Sequence, residues 1–385
     1  MKDSLYGELS VIGMKGCEQF VSQVDSYLKE WRCHGEDDSF IVDIECPRFG
    51  SGEAKGTIKK SLRGHDVYII CDPFNYGVTY KMYGKEVPMS PDDHFADLKR
   101  ILSANAGKAR RVSVIMPMLY EGRQHKRSAR ESLDCAMALQ ELESMGVTNI
   151  LTFDAHDPRV QNAIPLCGFE NIHPTYQMIK ALVRKFPDVS IDKEDLIIIS
   201  PDEGAMGRCV YYSSVLGLDI GMFYKRRDYS RVVNGRNPIE AHEYLGNDLT
   251  GKDAIIVDDM ISSGESIIDV ALQIKEKGAK RIFIFETFGL FTDGFAKFDK
   301  AYADGIFDCI FTTNLVYRTP ELLLKPWYCE VNMCKYVSYI IDTLNHDETI
   351  SNLLSPIKRI NSLLERHKKD MTRQLEIKFD DGKKS

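Results

Sequence analysis

A chain of 385 residues, 43% hydrophobic and 28% charged, has room for two or three domains and reads as globular rather than disordered. A net charge of −7 argues against a general nucleic-acid binder, and no apolar run approaches the roughly 20 residues of a membrane span. With no signal-peptide core at the N-terminus, a soluble cytoplasmic protein with no membrane partner is expected. The ten cysteines form no C-x-x-C pair and several sit in apolar runs, so buried, reduced thiols are expected rather than zinc ligands.

In chain order, the first strong element is the strand "HDVYIIC" (65–71), followed by "RRVSVIM" (110–116). Ser128 with Glu131 is a capping-box pattern, which places a helix start there. Cys135, Ala138, Leu139, Leu142 and Met145 line one face of that helix, which stops near Gly146. Strands "NILTF" (149–153), "LIIIS" (196–200) and "DIGMFY" (219–224) come next, and the last runs into "KRR". Segment 228–243 is polar, with Gly235 and Pro238, and reads as an active-site lid carrying Arg231 and Arg236. The strand "AIIVD" (254–258) ends on Asp258 and Asp259. Ser262, Ser263, Gly264 and Ser266 then form a small hydroxyl-rich turn into a helix striped by Ile267, Val270, Ala271 and Ile274. Strands "RIFIFET" (281–287) and "CIFTT" (309–313) close the series, and the charged tail from Pro356 begins as a surface helix.

Most of these strands are continuously apolar, as in a parallel sheet buried on both faces. The strand–helix alternation runs twice and predicts α/β architecture in two similar domains, 1–167 and 168–345, with a C-terminal extension over 346–385. Ligands of such sheets bind beyond the carboxyl ends of the strands. Small residues there let backbone N–H groups approach a phosphate at a helix N-terminus, while the paired acids accept sugar hydroxyls or hold magnesium. The bland alternatives are capping acids at an ordinary turn and, for "KRR", a solvated basic turn.

"IIVDDMISSGESI" resembles the phosphoribosyl-diphosphate (PRPP) motif of type I phosphoribosyltransferase folds. "SPDEGAMGRC" (200–209), "YKRRDYS" (224–230), "GRQHKRSARES" (122–132) and "VTNILTFDAH" (147–156) are similar to segments of ribose-phosphate pyrophosphokinases, in that family's order. "RFGSGE" (48–53) and "SLRGHDVYII" (61–70) resemble it more weakly. The resemblance implies two tandem phosphoribosyltransferase-like domains and transfer of the diphosphoryl group of ATP to ribose 5-phosphate, giving PRPP and AMP. It implies that Lys225 and Arg227 are catalytic cations and that Asp258, Asp259, Ser262, Ser263, Gly264 and Ser266 hold ribose 5-phosphate. Arg123, Gln124, Phe49 and Glu53 would contact ATP, the last two from a neighbouring subunit, so a dimer-based homo-oligomer is implied. His156 and Asp202 would bind Mg2+. A non-catalytic regulatory homologue and a PRPP-consuming phosphoribosyltransferase are the competing readings.

The pattern departs from the family at Ser51, His125, Ser262 and Glu265. Glu265 is the sharpest conflict, because a carboxylate in a phosphate turn repels the ligand unless it points away or pairs with a cation.

Overall fold

The computed structural model describes residues 5–32, 39–227 and 239–381. The chain divides into two compact units. The first holds residues 1–174, 314–319 and 332–354, and the second holds 175–313, 320–331 and 355–385.

In the first unit, strand β1 (Glu8–Gly13) is followed by helix α1 (Glu18–Arg32), the short pair β2 (Ile44–Glu45) and β3 (Thr57–Ile58), and β4 (His65–Ile70). A hairpin of β5 (Thr79–Met82) and β6 (Lys85–Pro88) precedes α2 (Pro91–Asn105). Then come β7 (Arg111–Ile115), α3 (Asp134–Ser144), β8 (Asn149–Phe153), a 3-10 turn (Pro158–Ala163) and β9 (Gly168–Ile172). The sheet order is β1-β4-β7-β8-β9, and every pairing is parallel. All six residues of β4 are buried, because helices cover both faces of a parallel sheet.

The second unit runs α4 (Thr175–Lys185), β10 (Leu196–Ser200), α5 (Met206–Leu216), β11 (Asp219–Arg227), β12 (Ile239–Leu245), β13 (Asp253–Ile261) and α6 (Glu265–Glu276). It continues with β14 (Ile282–Gly289), α7 (Ala296–Ala303), β15 (Cys309–Thr313), α8 (Pro320–Leu323) and β16 (Tyr328–Val331). The order β12-β11-β10-β13-β14-β15-β16 is parallel except for the β11–β12 pair. Helices α9 (Cys334–Asn345) and α10 (Ser351–Leu354) return to the first unit, and α11 (Ile357–Asp381) belongs to the second.

This is the expected α/β class with two similar parallel sheets, but several particulars differ. The division falls after Pro174 rather than after 167, because β9 completes the first sheet. Helix α9 belongs with the first unit: Arg32 bonds Asp342 and Asn345, and the Asn345 amide reaches the buried Asp66 carboxylate at 2.9 Å. The tail does begin as the expected surface helix, α11, and it is anchored. In α11 Ile360 is fully buried, and the ring of His367 bonds the Val189 carbonyl at 2.7 Å.

Helix α3 begins at Asp134, not at Ser128. Ser128 and Glu131 do meet, with the Ser128 N–H 3.1 Å from Glu131 Oε2, but they close a bend in the loop. The expected lid shortens from its far end, since residues from Ile239 onward form β12; Arg231, Arg236 and the rest of 228–238 lie outside the described residues, as does Cys33. The nine described cysteines are unbridged. Among the described residues no helix is long and apolar enough to cross a membrane.

Candidate active site

The acidic strand tip is made by unequal strand lengths. β10 pairs with β13 only from Leu196↔Asp253 to Ile199↔Ile256. β13 continues to Ile261 against β14, with Asp258 opposite Glu286 and Ile261 opposite Gly289. Asp258 and Asp259 therefore lie inside the last stretch of a strand, not after its end, and on the β10 side the sheet has already stopped. After β10 the chain turns at Asp202, whose Oδ1 accepts the N–H groups of Gly204 (2.9 Å) and Ala205 (3.3 Å) and so launches α5. In the first turns of α5, Arg208 reaches back to the strand tip, with Nη1 3.1 Å from Asp258 Oδ1 and Nη2 3.8 Å from Asp259 Oδ2.

Burial pushes the Asp258 carboxyl well above its ordinary range, and the Asp259 charge pushes it further. Arg208 and the Asp259 N–H (2.9 Å) oppose this, and Asp202 adds to the rise. The tip is thus short of positive charge, which suits a partner that donates hydrogen bonds or carries a cation.

The turn that follows has its own logic. Gly264 has φ +85°, and a Cβ there would lie 2.0 Å from Phe298 Cζ. Only glycine fits. The N-cap of α6 is Gly264, which has no side chain to cap the helix, and a helix start of this kind suits an anion. Ser262 and Ser263 are half-buried beside the turn, and Ser266 is exposed. Glu265 turns away with 79% of its side chain exposed, and its Oε1 lies 3.5 Å from Lys297 Nζ. The conflict at Glu265 is therefore resolved in both ways, by direction and by pairing.

Lys225 and Arg227 lie within β11 rather than in a loop after it. Lys225 stands opposite His242 and Arg227 opposite Ile239, with a register shift between Arg226 and Arg227. The last β10–β11 pair is Ser200↔Met222, so both cations sit beyond the carboxyl end of β10, the end that also carries Asp202.

The first unit gathers a second set. Arg123 is exposed in the loop after β7, while the Gln124 amide nitrogen donates within its own loop to the Ser132 carbonyl at 2.9 Å, leaving its side-chain oxygen for other partners. His125 lies 3.4 Å (Nε2) from Asp157 Oδ2, and its ring centroid is 5.4 Å from that of His156. Burial lowers the His125 pKa, against the pull of Asp157. Its Nδ1 is buried without a hydrogen-bond partner. Arg159 bonds Asp157 through backbone and side chain and holds that carboxyl far below its usual range. His156 is exposed after β8, preceded by the left-handed Asp154 at φ +42°.

Phe49 and Glu53 form a separate group. The Phe49 N–H donates to the Glu53 carbonyl (2.7 Å), the Gly52 N–H to the Phe49 carbonyl (2.9 Å), and Ser51 Oγ to Glu53 Oε2 (2.8 Å). Phe49 is 56% exposed on this closed turn, so it is no core residue. Arg48 anchors the turn through Asp97 at 2.9 Å, with its guanidinium 4.8 Å from the centre of the Tyr80 ring.

His156 and Asp202 belong to different units. Among the described residues no group of three or more His, Cys, Asp or Glu stands close enough to hold a metal directly. The donor chemistry nevertheless fits a hard cation that keeps part of its water, since Asp202, Asp258 and Asp259 offer oxygen and Asp202 already acts on Asp258. Sequence reasoning gave Arg208 no role, although it lies within "SPDEGAMGRC" six positions beyond Asp202. An arginine that close to a strand-end acid was the available signal. It also missed the His125–Asp157 contact, which no spacing announces.

Residues 9–146 match the N-terminal domain of ribose phosphate pyrophosphokinase, and residues 169–310 match the phosphoribosyl transferase domain. The ribose-phosphate pyrophosphokinase of Vibrio cholerae is 27% identical over 322 residues, 82% of this chain and 92% of that protein. That of Ureaplasma parvum is 30% identical over 282 residues, 73% and 78% of the two chains. Among solved structures, phosphoribosylpyrophosphate synthetase from Mycobacterium smegmatis superposes with a TM-score of 0.71 at 18% identity, over 88% of this chain and 99% of that one, and so shares the fold.

Proposed function

The chain is an enzyme of the ribose-phosphate pyrophosphokinase family, and from that premise we propose that it makes PRPP and AMP from ATP and ribose 5-phosphate. The observation that carries the ribose 5-phosphate half is the acidic strand tip running directly into an uncapped helix start at a glycine that cannot be replaced. Asp258 and Asp259 accept the ribose hydroxyls, and the 5-phosphate takes the first-turn N–H groups of α6 with Ser262, Ser263 and Ser266 around it. Arg208 holds the two carboxylates in place.

In the transfer, the C1 hydroxyl oxygen bonds to the β-phosphorus of ATP, and the bond from that phosphorus to the oxygen shared with the α-phosphate breaks. Little covalent chemistry is asked of the protein. It positions the two substrates and stabilises charge on the transferring phosphates, the roles of Lys225 and Arg227. Arg123 and Gln124 take the nucleotide, and Phe49 and Glu53 take adenine in a neighbouring subunit of a dimer-based homo-oligomer. Asp202 and His156, each in its own unit, would be positions for Mg2+, and a bound ion would supply neutralisation of phosphate charge. A cytoplasmic setting belongs to the same proposal.

The test is AMP formation from ATP and ribose 5-phosphate with Mg2+. A folded protein that forms none under these conditions ends this proposal. Lys225→Ala should lower kcat by at least about a hundredfold with KM values little changed, the signature of a contact made mainly in the transition state. Nucleotide formed from PRPP and a free base would instead favour the transferase reading.

A further inference from the structure

The β5–β6 hairpin bears on the exposed turn that carries Phe49. It pairs from Thr79↔Pro88 to Met82↔Lys85 and is joined by Tyr83 and Gly84 alone. Their φ values, +47° and +76°, make this a two-residue connection with both central residues left-handed. Glycine suits the second position. The first favours Asn, Asp or Gly, and a tyrosine held there is strained.

The strained residue is held against the Phe49 turn. The Tyr83 N–H donates to the Gly50 carbonyl at 2.8 Å. Met82 fills the space beside Gly52, where a Cβ would come within 2.8 Å of its sulfur. Two positions down the hairpin from Met82, Tyr80 lies under the Arg48 guanidinium and its hydroxyl reaches Asp93 at 3.3 Å. The hairpin and the turn are thus one braced assembly, and its outer surface carries two exposed rings, Phe49 at 56% and Tyr83 at 79%. The Tyr83 ring buries little, so packing gives no reason for a tyrosine at a position where asparagine would cost less. Backbone strain kept at an exposed aromatic points to a ligand contact.

We propose that Tyr83 is a second aromatic contact for the base of the nucleotide donor, carried next to Phe49 by the β5–β6 hairpin. The inference rests on the reading of the 49–53 turn as an adenine contact and adds to it a residue that the motif does not contain. A purine face accepts any aromatic surface, so the ring matters and the hydroxyl does not.

Tyr83→Asn separates binding from structure, because it relieves the backbone strain while removing the ring. It should melt no lower than the parent yet raise KM for ATP by about fivefold or more, with kcat and KM for ribose 5-phosphate within about twofold. Tyr83→Phe should match the parent on every measure. Phe49→Ala, assayed alongside, reports on the underlying reading. If Phe49→Ala raises KM for ATP and Tyr83→Asn does not, the inference is overturned and the reading stands. If Phe49→Ala leaves KM for ATP unchanged, the reading itself falls and takes the inference with it. A Tyr83→Asn protein that melts lower and shifts both KM values alike would show the ring to be structural and also overturn the inference.

Discussion

At the scale of single residues, Gly264 and Glu265 show how two neighbours in one turn answer to different constraints. Gly264 is fixed by space and by φ together, so Gly264→Ala must move the Phe298 ring and strain its own backbone. A loss of about 2–4 kcal/mol is expected, with KM for ribose 5-phosphate up at least about tenfold. Thermal melting and substrate titration check the two parts, and a parental KM would remove this turn from the phosphate site. The need for small residues here was legible in the sequence, because a phosphate cradle asks for them. The harmlessness of Glu265 was not. Its answer is Lys297, 32 positions away, brought beside it only by the fold.

At the scale of elements, what could be read depended on position in the sheet. The eight strands expected from sequence are the eight central strands of the two main sheets. The four edge strands, β1, β9, β12 and β16, were all missed. Central strands are covered on both faces and read as unbroken apolar runs, as in β10, where all five residues are buried. Among the edge strands, "GFENI" in β9 has a single buried residue, although β1 has four of six and its apolar run is broken by Ser10. The Ser128–Glu131 pair misled for a related reason: its two side chains can meet in a bend as well as at a helix start.

The connection after β4 carries a pH-sensitive element of its own. Asp72 is buried there and ties segment 314–319 to the first sheet, accepting the Phe74 N–H at 3.0 Å and the Tyr317 N–H at 2.8 Å. Burial pushes its pKa up to about 6, against the two N–H groups and Arg318. Because the folded value exceeds the unfolded one, the native state binds the proton more tightly between about pH 4 and pH 6. This group's contribution to stability therefore falls as pH rises through that window, by at most about 3 kcal/mol, and is level above it. Melting temperature followed against pH should show this slope in the parent and lose it in Asp72→Asn. A slope unchanged by the substitution would assign the titration elsewhere.

At the scale of the whole molecule, a site completed by a neighbouring subunit has a genetic signature. Lys225→Ala and Phe49→Ala should each lower activity, by kcat and by nucleotide binding respectively. If Phe49 serves the partner's site, subunit exchange between the two variants creates some sites with neither defect. The mixture should then exceed the sum of its parts in AMP formation, whereas strictly additive activity would place Phe49 in its own subunit's site. The two-sheet plan was legible because the strand–helix rhythm repeats. The division was not, because the chain crosses between the units five times, after Pro174, Thr313, Thr319, Val331 and Leu354, and no composition shift marks those points. Those crossings also set a timetable for synthesis. When residue 174 leaves the ribosome, Asp66 has the Arg111 guanidinium at 2.6 Å but lacks the Asn345 amide, and Arg111 lacks the Leu344 carbonyl. The first unit must wait, unfinished, for a helix encoded far downstream, so nascent chains stalled before residue 334 should be far more open to protease than released ones.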